Sequence, residues 1–195
     1  NMRSYLVSQG INDIVSDMSF PVKDRMSKWG VPDDKLFERL KADLKDDRIG
    51  TPMLRIIQTS SSHEPFDVPY NRLADERLNA FAFADSCIGN FVSALKASPQ
   101  WKSSLVILLP DHQGCWPIGI SNEDLGHYHI PMIWTGGALA KGGEVDIIGS
   151  QQDLAATLLG QLNINHDDML FSKDMLNPAV PHFAFFTVND LFGMI

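Results

Sequence analysis

The sequence predicts an α/β fold, a three-layer sandwich in which helices cover both faces of a mostly parallel sheet. Continuous apolar runs of strand length alternate along the chain with longer segments whose apolar residues recur every three or four positions. The runs are apolar throughout, which is typical of strands buried on both faces. With 195 residues, 44% of them hydrophobic, the chain can bury a sizeable core. Neither a repeat nor a flexible linker divides it, so we expect one domain over residues 1–195.

Three segments are predicted to be helical. The first, from Asp33 to Asp46, opens with two acidic residues and is followed by a break at Thr51-Pro52. The second, Leu73 to Lys96, carries the longest apolar stripe and is predicted to pack on a sheet. The third, Ser150 to Leu162, begins with a serine that can cap a helix.

Three apolar runs are predicted to be buried strands, and the tail a hairpin. The runs are Met53 to Thr59, Ser104 to Pro110 and Ile130 to Thr135. The tail, HFAFFTVNDLFGMI, is predicted to turn near Asn189-Asp190. Ligands of open α/β sheets collect at the carboxyl ends of the strands, so residues directly after these runs are the candidates for a site.

Charge and composition exclude several kinds of partner. The net charge of −8 argues against nucleic acid and against a basic membrane-binding surface, which both need clustered Lys and Arg. No run approaches the roughly 20 apolar residues of a membrane span, so the chain is expected to be soluble. It begins at Asn1, and we expect membrane anchors to lie upstream in a longer parent protein. Cys87 and Cys115 are interpreted as free thiols, which leaves the compartment open.

Asp111 and His112 are the sharpest chemical feature of the sequence. They follow the apolar run SLVILLP, at the predicted carboxyl end of a strand. A carboxylate and an imidazole placed side by side on a rigid strand end can both reach one divalent cation. Gly114 follows closely and lets the backbone turn away from the ion without an intruding side chain. A second histidine, His63, follows the strand predicted at Met53 to Thr59.

Several segments, in order, resemble the alkaline-phosphatase and sulfatase superfamily. SSLVILLPDHQG resembles its apolar strand ending in DHG, and LADERLNAFAFADSCIGNFVSALKASPQW resembles the helix that precedes that strand. IIQTSSSHEPFDVP and KWGVPDDKLFERL are similar to segments of the lipoteichoic-acid-synthase branch, which are phosphoglycerol transferases. HIPMIWTGGAL and SQQDLAATLLGQLNI resemble the strand and helix that come next. The resemblance covers nearly the whole chain and implies the C-terminal half of such a catalytic domain.

The resemblance implies a site and its cofactor. Asp111 and His112 match metal ligands, His63 matches a histidine that contacts the substrate phosphate or its leaving group, and Arg3 loosely matches an arginine that holds the head group. The implied cofactor is one divalent cation, Mn²⁺ or Mg²⁺ with Zn²⁺ as an alternative, held weakly or not at all by this chain alone. The nucleophile, usually a threonine, and the first acidic ligand are expected in the N-terminal half of the same domain.

The implied activity is the transfer of a phosphoglycerol group, with a phospholipid head group or an envelope glycan as substrate. The parent would be membrane-anchored, with its catalytic domain outside the cytoplasmic membrane, and this chain alone would be inactive. A sulfatase or phosphodiesterase of the same superfamily is the alternative. Sulfatases usually place basic side chains around the sulfate, and Ser103 to Ala140 contains no Lys or Arg. A non-catalytic interaction domain is the other alternative.

The loop that follows Asp111 contains the remaining candidates. Trp116 and Tyr128 are expected either to form an aromatic wall beside a substrate or to pack in the core. His127 is a weaker candidate, either for the substrate or as a third metal ligand. The loop departs from the family pattern, because Gln113 separates His112 from the glycine of DHG and leaves the turn undefined. The other three histidines, His129, His166 and His182, are interpreted as surface residues. The three serines before His63, which are Ser60, Ser61 and Ser62, are interpreted as a turn.

Overall fold

The computed structural model describes residues 2–45, 51–114, 116–121, 123–188 and 190–195. The predictions made for Asp46, Cys115 and Asn189 lie outside these residues. In chain order the described helices and strands are α1 (Met2–Ser8), α2 (Asp33–Lys45), α3 (Glu76–Lys96), β1 (Val106–Leu108), α4 (Leu125–Tyr128), β2 (Ile133–Thr135), α5 (Asp153–Gln161), β3 (Phe185–Val188) and β4 (Leu191–Met194).

The chain forms two compact units. The first consists of Asn1–Leu108, Gly114–Trp116 and Met132–Leu139, and the second of Leu109–Gln113, Pro117–Pro131 and Ala140–Ile195. The single domain expected over residues 1–195 stays a prediction.

The core of the first unit lies between α2 and α3. Both helices were predicted, and their apolar faces meet with the rings of Phe37 and Phe91 stacked 5.3 Å apart. Burial of such faces, rather than helix propensity, supplies most of a helix's stability in a folded protein. The buried cluster consists of Phe37, Leu40, Phe83, Cys87, Phe91 and Leu95.

Helix α3 begins three residues later than the sequence predicts. The side chain of Asp75 accepts hydrogen bonds from the backbone N–H groups of Arg77 and Leu78, so Asp75 is the cap and the helix starts at Glu76. By length and composition alone, Glu76–Lys96 is the one described helix that is apolar enough to cross a membrane. One face of it is buried in the core, and core helices of globular domains often pass the same test.

Strands β1 and β2 form a short antiparallel pair. Val106 pairs with Thr135 and Leu108 with Ile133, a register that would next bring Pro110 opposite Pro131. Proline has no backbone N–H to donate, so the pairing ends before these residues.

Two glycines end this pair at its other end. At Gly136, where φ is +138°, an added Cβ would lie 2.1 Å from the carbonyl oxygen of Ser104. At Gly137 it would lie 2.5 Å from the carbonyl oxygen of Trp101, to which Gly137 donates its N–H at 3.0 Å. The backbone of residues 101–105 thus approaches too closely for any larger residue at either position.

The direction of the strands differs from the sequence prediction. Both described sheets have two antiparallel strands, so the mostly parallel sheet that was predicted is not seen among the described residues. Parallel neighbours need a crossover, usually a helix, and α4 between β1 and β2 has just four residues.

The segment Met53 to Thr59, predicted as a buried strand, is irregular and mostly exposed. Leu54 is 76% exposed and Ile56 is 83% exposed. A strand requires a neighbour that pairs with its backbone, and neither of the described sheets includes this segment.

The second unit is organised around the start of α5 and the C-terminal hairpin. The carboxylate of Asp153, 1% exposed, accepts the backbone N–H of Ser150 and pairs with the ammonium group of Lys173. The Ser150 hydroxyl exchanges hydrogen bonds with the backbone of Phe185, which ties α5 to β3. The predicted hairpin is confirmed: β3 and β4 pair from Phe185 with Met194 to Val188 with Leu191.

Candidate functional site

Asp111 and His112 form an exposed turn in the second unit. Their side chains are 87% and 53% exposed, and the His112 backbone N–H donates to Asp111 Oδ1 at 2.9 Å. Asp111 Oδ2 lies 3.6 Å from His112 Nε2. The two atoms predicted to bind a cation are therefore close together and accessible to solvent.

The tautomer of His112 follows from its hydrogen bond. His112 Nδ1 lies 2.8 Å from the carbonyl oxygen of Gln113, and a carbonyl can only accept, so Nδ1 carries the proton. In the neutral ring Nε2 then bears the lone pair, and Nε2 is the atom that faces Asp111. Metal-bound histidines commonly donate their second ring N–H to a carbonyl in this way. The pair therefore fits a divalent cation that takes one imidazole and one carboxylate.

Gln113, the departure from the family pattern, holds this turn through its backbone. Its carbonyl oxygen orients His112, and its N–H donates to the carbonyl oxygen of His127 at 3.1 Å. The rings of His112 and His127 stack with centroids 5.4 Å apart. Gly114 has neither a positive φ nor an atom within 4 Å of an added Cβ, so the turn does not depend on glycine there. The extra residue, Gln113, is thus compatible with a fixed orientation of the His112 imidazole.

Gln151 contacts the same turn and was missed by sequence reasoning. Its side-chain Nε2 donates to the carbonyl oxygens of Pro110 and Asp111, both at 2.7 Å. It lies two residues before the start of α5 and 40 residues from Asp111 in sequence. No local spacing rule links positions so far apart, so the sequence carries no signal for this contact.

His63 lies in a turn of the first unit. Its backbone N–H donates to the carbonyl oxygen of Ser60 at 3.0 Å, and its Nδ1 donates to the carbonyl oxygen of Glu64, also at 3.0 Å. Trp29 donates its indole N–H to the same Glu64 oxygen at 2.6 Å and lies against the imidazole, with ring centroids 4.3 Å apart. Because Nδ1 is engaged, Nε2 is the ring nitrogen available to a substrate.

A buried carboxylate anchors the His63 turn. Asp33, at the start of α2, is fully buried, and its Oδ1 accepts the backbone N–H groups of Ser60 at 2.9 Å and Ser61 at 3.2 Å. The Ser61 hydroxyl in turn accepts the Asp33 backbone N–H at 2.9 Å. Asp33 Oδ2 is buried without a partner among the described residues. The sequence shows Asp33 as a helix start, not as the anchor of a turn 27 residues away.

The secondary candidates lie in different surroundings. Arg3 is exposed on α1. Trp116 is 38% exposed, with the Arg77 guanidinium 5.4 Å from its ring centroid. Tyr128 is half-buried and stacks on half-buried Phe186 with centroids 4.6 Å apart. Their roles toward a substrate, and that of His127, stay predictions.

The candidate residues are distributed over both units. His63 belongs to the first unit and the Asp111-His112 pair to the second, and their meeting in one cleft stays a prediction. Among the described residues, no group of three or more His, Cys, Asp or Glu side chains is placed to hold a metal ion. The metal role of Asp111 and His112 stays a prediction.

Helix α3 and its cap contain two groups with shifted pKa values, Cys87 and Asp75. Burial raises the pKa of the Cys87 thiol to about 11, with nearby Asp33 and Asp34 adding to the rise. Cys87 is therefore a protonated, buried thiol, as the sequence predicts. The hydrogen bond from Arg77 lowers the pKa of Asp75 to about 2, which keeps this cap charged near neutrality. Both shifts concern α3 and its cap, not the candidate site.

Comparison with solved structures shows a known fold. A protein of the alkaline phosphatase superfamily from Vibrio parahaemolyticus matches with a TM-score of 0.85 and 23% sequence identity, over 100% of this chain and 50% of that one. The lipoteichoic acid synthase LtaP from Listeria monocytogenes matches with a TM-score of 0.66 and 21% identity, over 82% of this chain and 46% of that one. The chain therefore spans about half the length of each structure.

Comparison with family sequence models gives the same assignment. The model of the Sulfatase family matches residues 3–164, a span that includes His63, Asp111, His112 and Gln151. The predicted α/β class is confirmed by the structural matches, and the predicted superfamily by both comparisons. The chain belongs to the Sulfatase family and has the fold of the alkaline phosphatase superfamily.

Proposed function

We propose that the chain supplies the second half of the active site of a metal-dependent phosphoglycerol transferase. The observation that carries the proposal is the placement of Asp111 Oδ2 3.6 Å from the lone-pair nitrogen of His112. The similarity to a lipoteichoic acid synthase supports the choice of reaction.

Asp111 and His112 would hold one divalent cation, Mn²⁺ or Mg²⁺ with Zn²⁺ as the alternative. When bound, the cation would neutralise charge on the phosphoryl oxygens and lower the pKa of the attacking hydroxyl. The nucleophile, which we take to be a threonine, and the remaining ligands would come from the N-terminal half of the catalytic domain.

His63 would act on the substrate through Nε2. Because Nδ1–H is donated to the Glu64 carbonyl, the neutral ring offers a lone pair at Nε2, and the protonated ring offers an N–H there. The protonated form can donate to a phosphate oxygen or protonate the leaving oxygen. Trp29 packs against one side of the ring and limits its rotation.

The substrate class follows from the charges around the site. We propose a phospholipid head group or an envelope glycan, acted on outside the cytoplasmic membrane by a membrane-anchored parent. The segment from Ser103 to Ala140 contains no Lys or Arg that could neutralise a sulfate. A phosphodiester is therefore favoured over a sulfate ester, since sulfatases usually place basic side chains around the sulfate.

A Mn²⁺ titration of the chain, followed by paramagnetic broadening of its NMR signals, tests the metal pair. We expect signals of Asp111 and His112 to broaden first, with affinity weaker than micromolar because two ligands are fewer than the four or more that stable sites use. Asp111→Ala should abolish this broadening. His182→Ala, which removes a histidine outside the pair, should leave it unchanged.

Equal Mn²⁺ broadening in wild type and Asp111→Ala would contradict the metal role of the pair. Activity is tested separately, with a chromogenic phosphodiester and an aryl sulfate. This chain alone should hydrolyse neither. Metal-dependent turnover of the phosphodiester, lost in Asp111→Ala, would show that the chain carries a complete centre, and turnover of the sulfate would favour a sulfatase.

A further inference from the structure

Gln151 is the side chain that holds the backbone of the Asp111-His112 turn. Its Nε2 lies 2.7 Å from the carbonyl oxygens of two successive residues, Pro110 and Asp111. We propose that Gln151 is a positioning residue for the metal-binding pair, and this inference rests on the metal role proposed above for Asp111 and His112.

The geometry of the two carbonyls shows why a donor is needed. In an extended strand successive carbonyls point to opposite sides, so convergence on one nitrogen means that the chain bends sharply at Asp111. Converging carbonyl oxygens repel each other unless a donor lies between them. A primary amide nitrogen has two N–H groups, one for each oxygen, which no hydroxyl or indole can match.

The position of Gln151 is itself fixed. The preceding residue, Ser150, donates its N–H to buried Asp153 at 2.8 Å, and its hydroxyl accepts the Phe185 N–H at 2.6 Å. A series of bonds therefore connects the buried Asp153–Lys173 pair, through Ser150 and its neighbour Gln151, to the Asp111-His112 turn. A turn that is 87% exposed at Asp111 is thereby attached to a rigid part of the second unit.

Ligand placement is the property that this contact should control. The backbone on the other side of His112 is held by the bond from Gln113 N–H to the His127 carbonyl. With both sides held, Asp111 Oδ2 and His112 Nε2 stay near their 3.6 Å separation before a cation arrives. Without Gln151, water would hydrate the two carbonyls, so stability would change little while the ligand atoms would lose their preset distance.

The test compares Gln151→Met with Gln152→Ala. Methionine has nearly the length of glutamine and no donor, and Gln152 is the exposed neighbour, from which no described hydrogen bond reaches these carbonyls. In the metal-free chain, the carbonyl ¹³C signals of Pro110 and Asp111 should shift upfield in Gln151→Met and stay in place in Gln152→Ala. Mn²⁺ affinity should fall about tenfold in Gln151→Met, as for other partners of metal ligands, with an unchanged melting temperature.

Unchanged ¹³C signals or unchanged Mn²⁺ affinity in Gln151→Met, while Asp111→Ala abolishes binding, would overturn the positioning role and leave the metal pair intact. If Asp111→Ala binds Mn²⁺ like wild type, the proposed metal function itself fails. Gln151→Ala serves as a second variant. A melting temperature lowered equally in Gln151→Met and Gln151→Ala would mean that the contact stabilises the fold instead of presetting the ligands.

Discussion

The His63 turn and the Asp111-His112 turn are held in different ways. The His63 turn is bonded directly to a buried charge, because Asp33 Oδ1 accepts the N–H groups of Ser60 and Ser61. The Asp111-His112 turn is instead hydrogen-bonded by an exposed neutral side chain, that of Gln151. Buried Asp153 lies two residues after Gln151 in the sequence and bonds to Ser150, not to the turn itself.

Because of this difference, mutations at the two turns should have different effects on stability and on the geometry of the site. Residues that hold the His63 turn also belong to the core of the first unit, since Asp33 begins α2, so changes there should reduce stability and alter the site together. The side chain that holds the Asp111-His112 turn, Gln151, is exposed, so a change there should alter the geometry of the turn and leave stability nearly unchanged. An exposed turn of this kind can change in sequence without loss of the fold.

The largest effect is expected at Lys173, the partner of Asp153. Lys173→Ala leaves a carboxylate that is 1% exposed without its cation, which should lower the free energy of unfolding by about 4 kcal/mol. Lys141→Ala, at an exposed position, should change it by less than about 0.5 kcal/mol. Denaturant unfolding measures both. A loss below about 1 kcal/mol in Lys173→Ala would mean that the second unit lacks the buried anchor inferred for it.

The next largest effect is expected at Asp33. Asp33→Ala removes the acceptor of two backbone hydrogen bonds and should lower the free energy of unfolding by about 3 kcal/mol. Asp33→Asn keeps one acceptor oxygen and should cost about 1 kcal/mol. The imidazole signals of His63 should shift in the alanine variant and return toward wild type in the asparagine variant.

Asp34→Ala is the matched control, because Asp34 accepts just the N–H of the adjacent Lys35. Wild-type stability in Asp33→Ala, or His63 signals that do not move, would contradict the difference between the two turns. The His63 turn would then not depend on a buried charge, like the exposed Asp111-His112 turn.

The smallest effect is expected at Asp75, a half-buried charge that caps α3 without touching either turn. The hydrogen bond from Arg77 lowers its pKa from 3.8 to about 2, so the charged form is favoured in the folded state. Its contribution to stability should be complete above pH 4, fall as the pH drops through this interval, and be lost below about 2. Melting temperatures of wild type and Asp75→Ala should accordingly differ at pH 6 and converge near pH 2. A difference that persists at pH 2 would show that uncharged Asp75 still caps the helix.

Local sequence patterns determined the helices, the hairpin and the ends of the β1–β2 pair. Apolar spacing identified α2 and α3 because a helix turns every 3.6 residues, and Pro110 and Pro131 end the β1–β2 pairing because proline has no N–H to donate. The Asp111-His112 pair was found for a similar reason, since two adjacent ligands after an apolar run form a local pattern.

Tertiary structure decided the features that depend on distant partners. The antiparallel direction of β1 and β2 and the irregular backbone of Met53 to Thr59 depend on which backbone segments meet. A segment's own residues do not specify its neighbour. The same holds for the contact from Asp33 to Ser60 and for that from Gln151 to Asp111, which join residues 27 and 40 positions apart. A side chain's chemistry is local, but its hydrogen-bond partner is set by the folded chain.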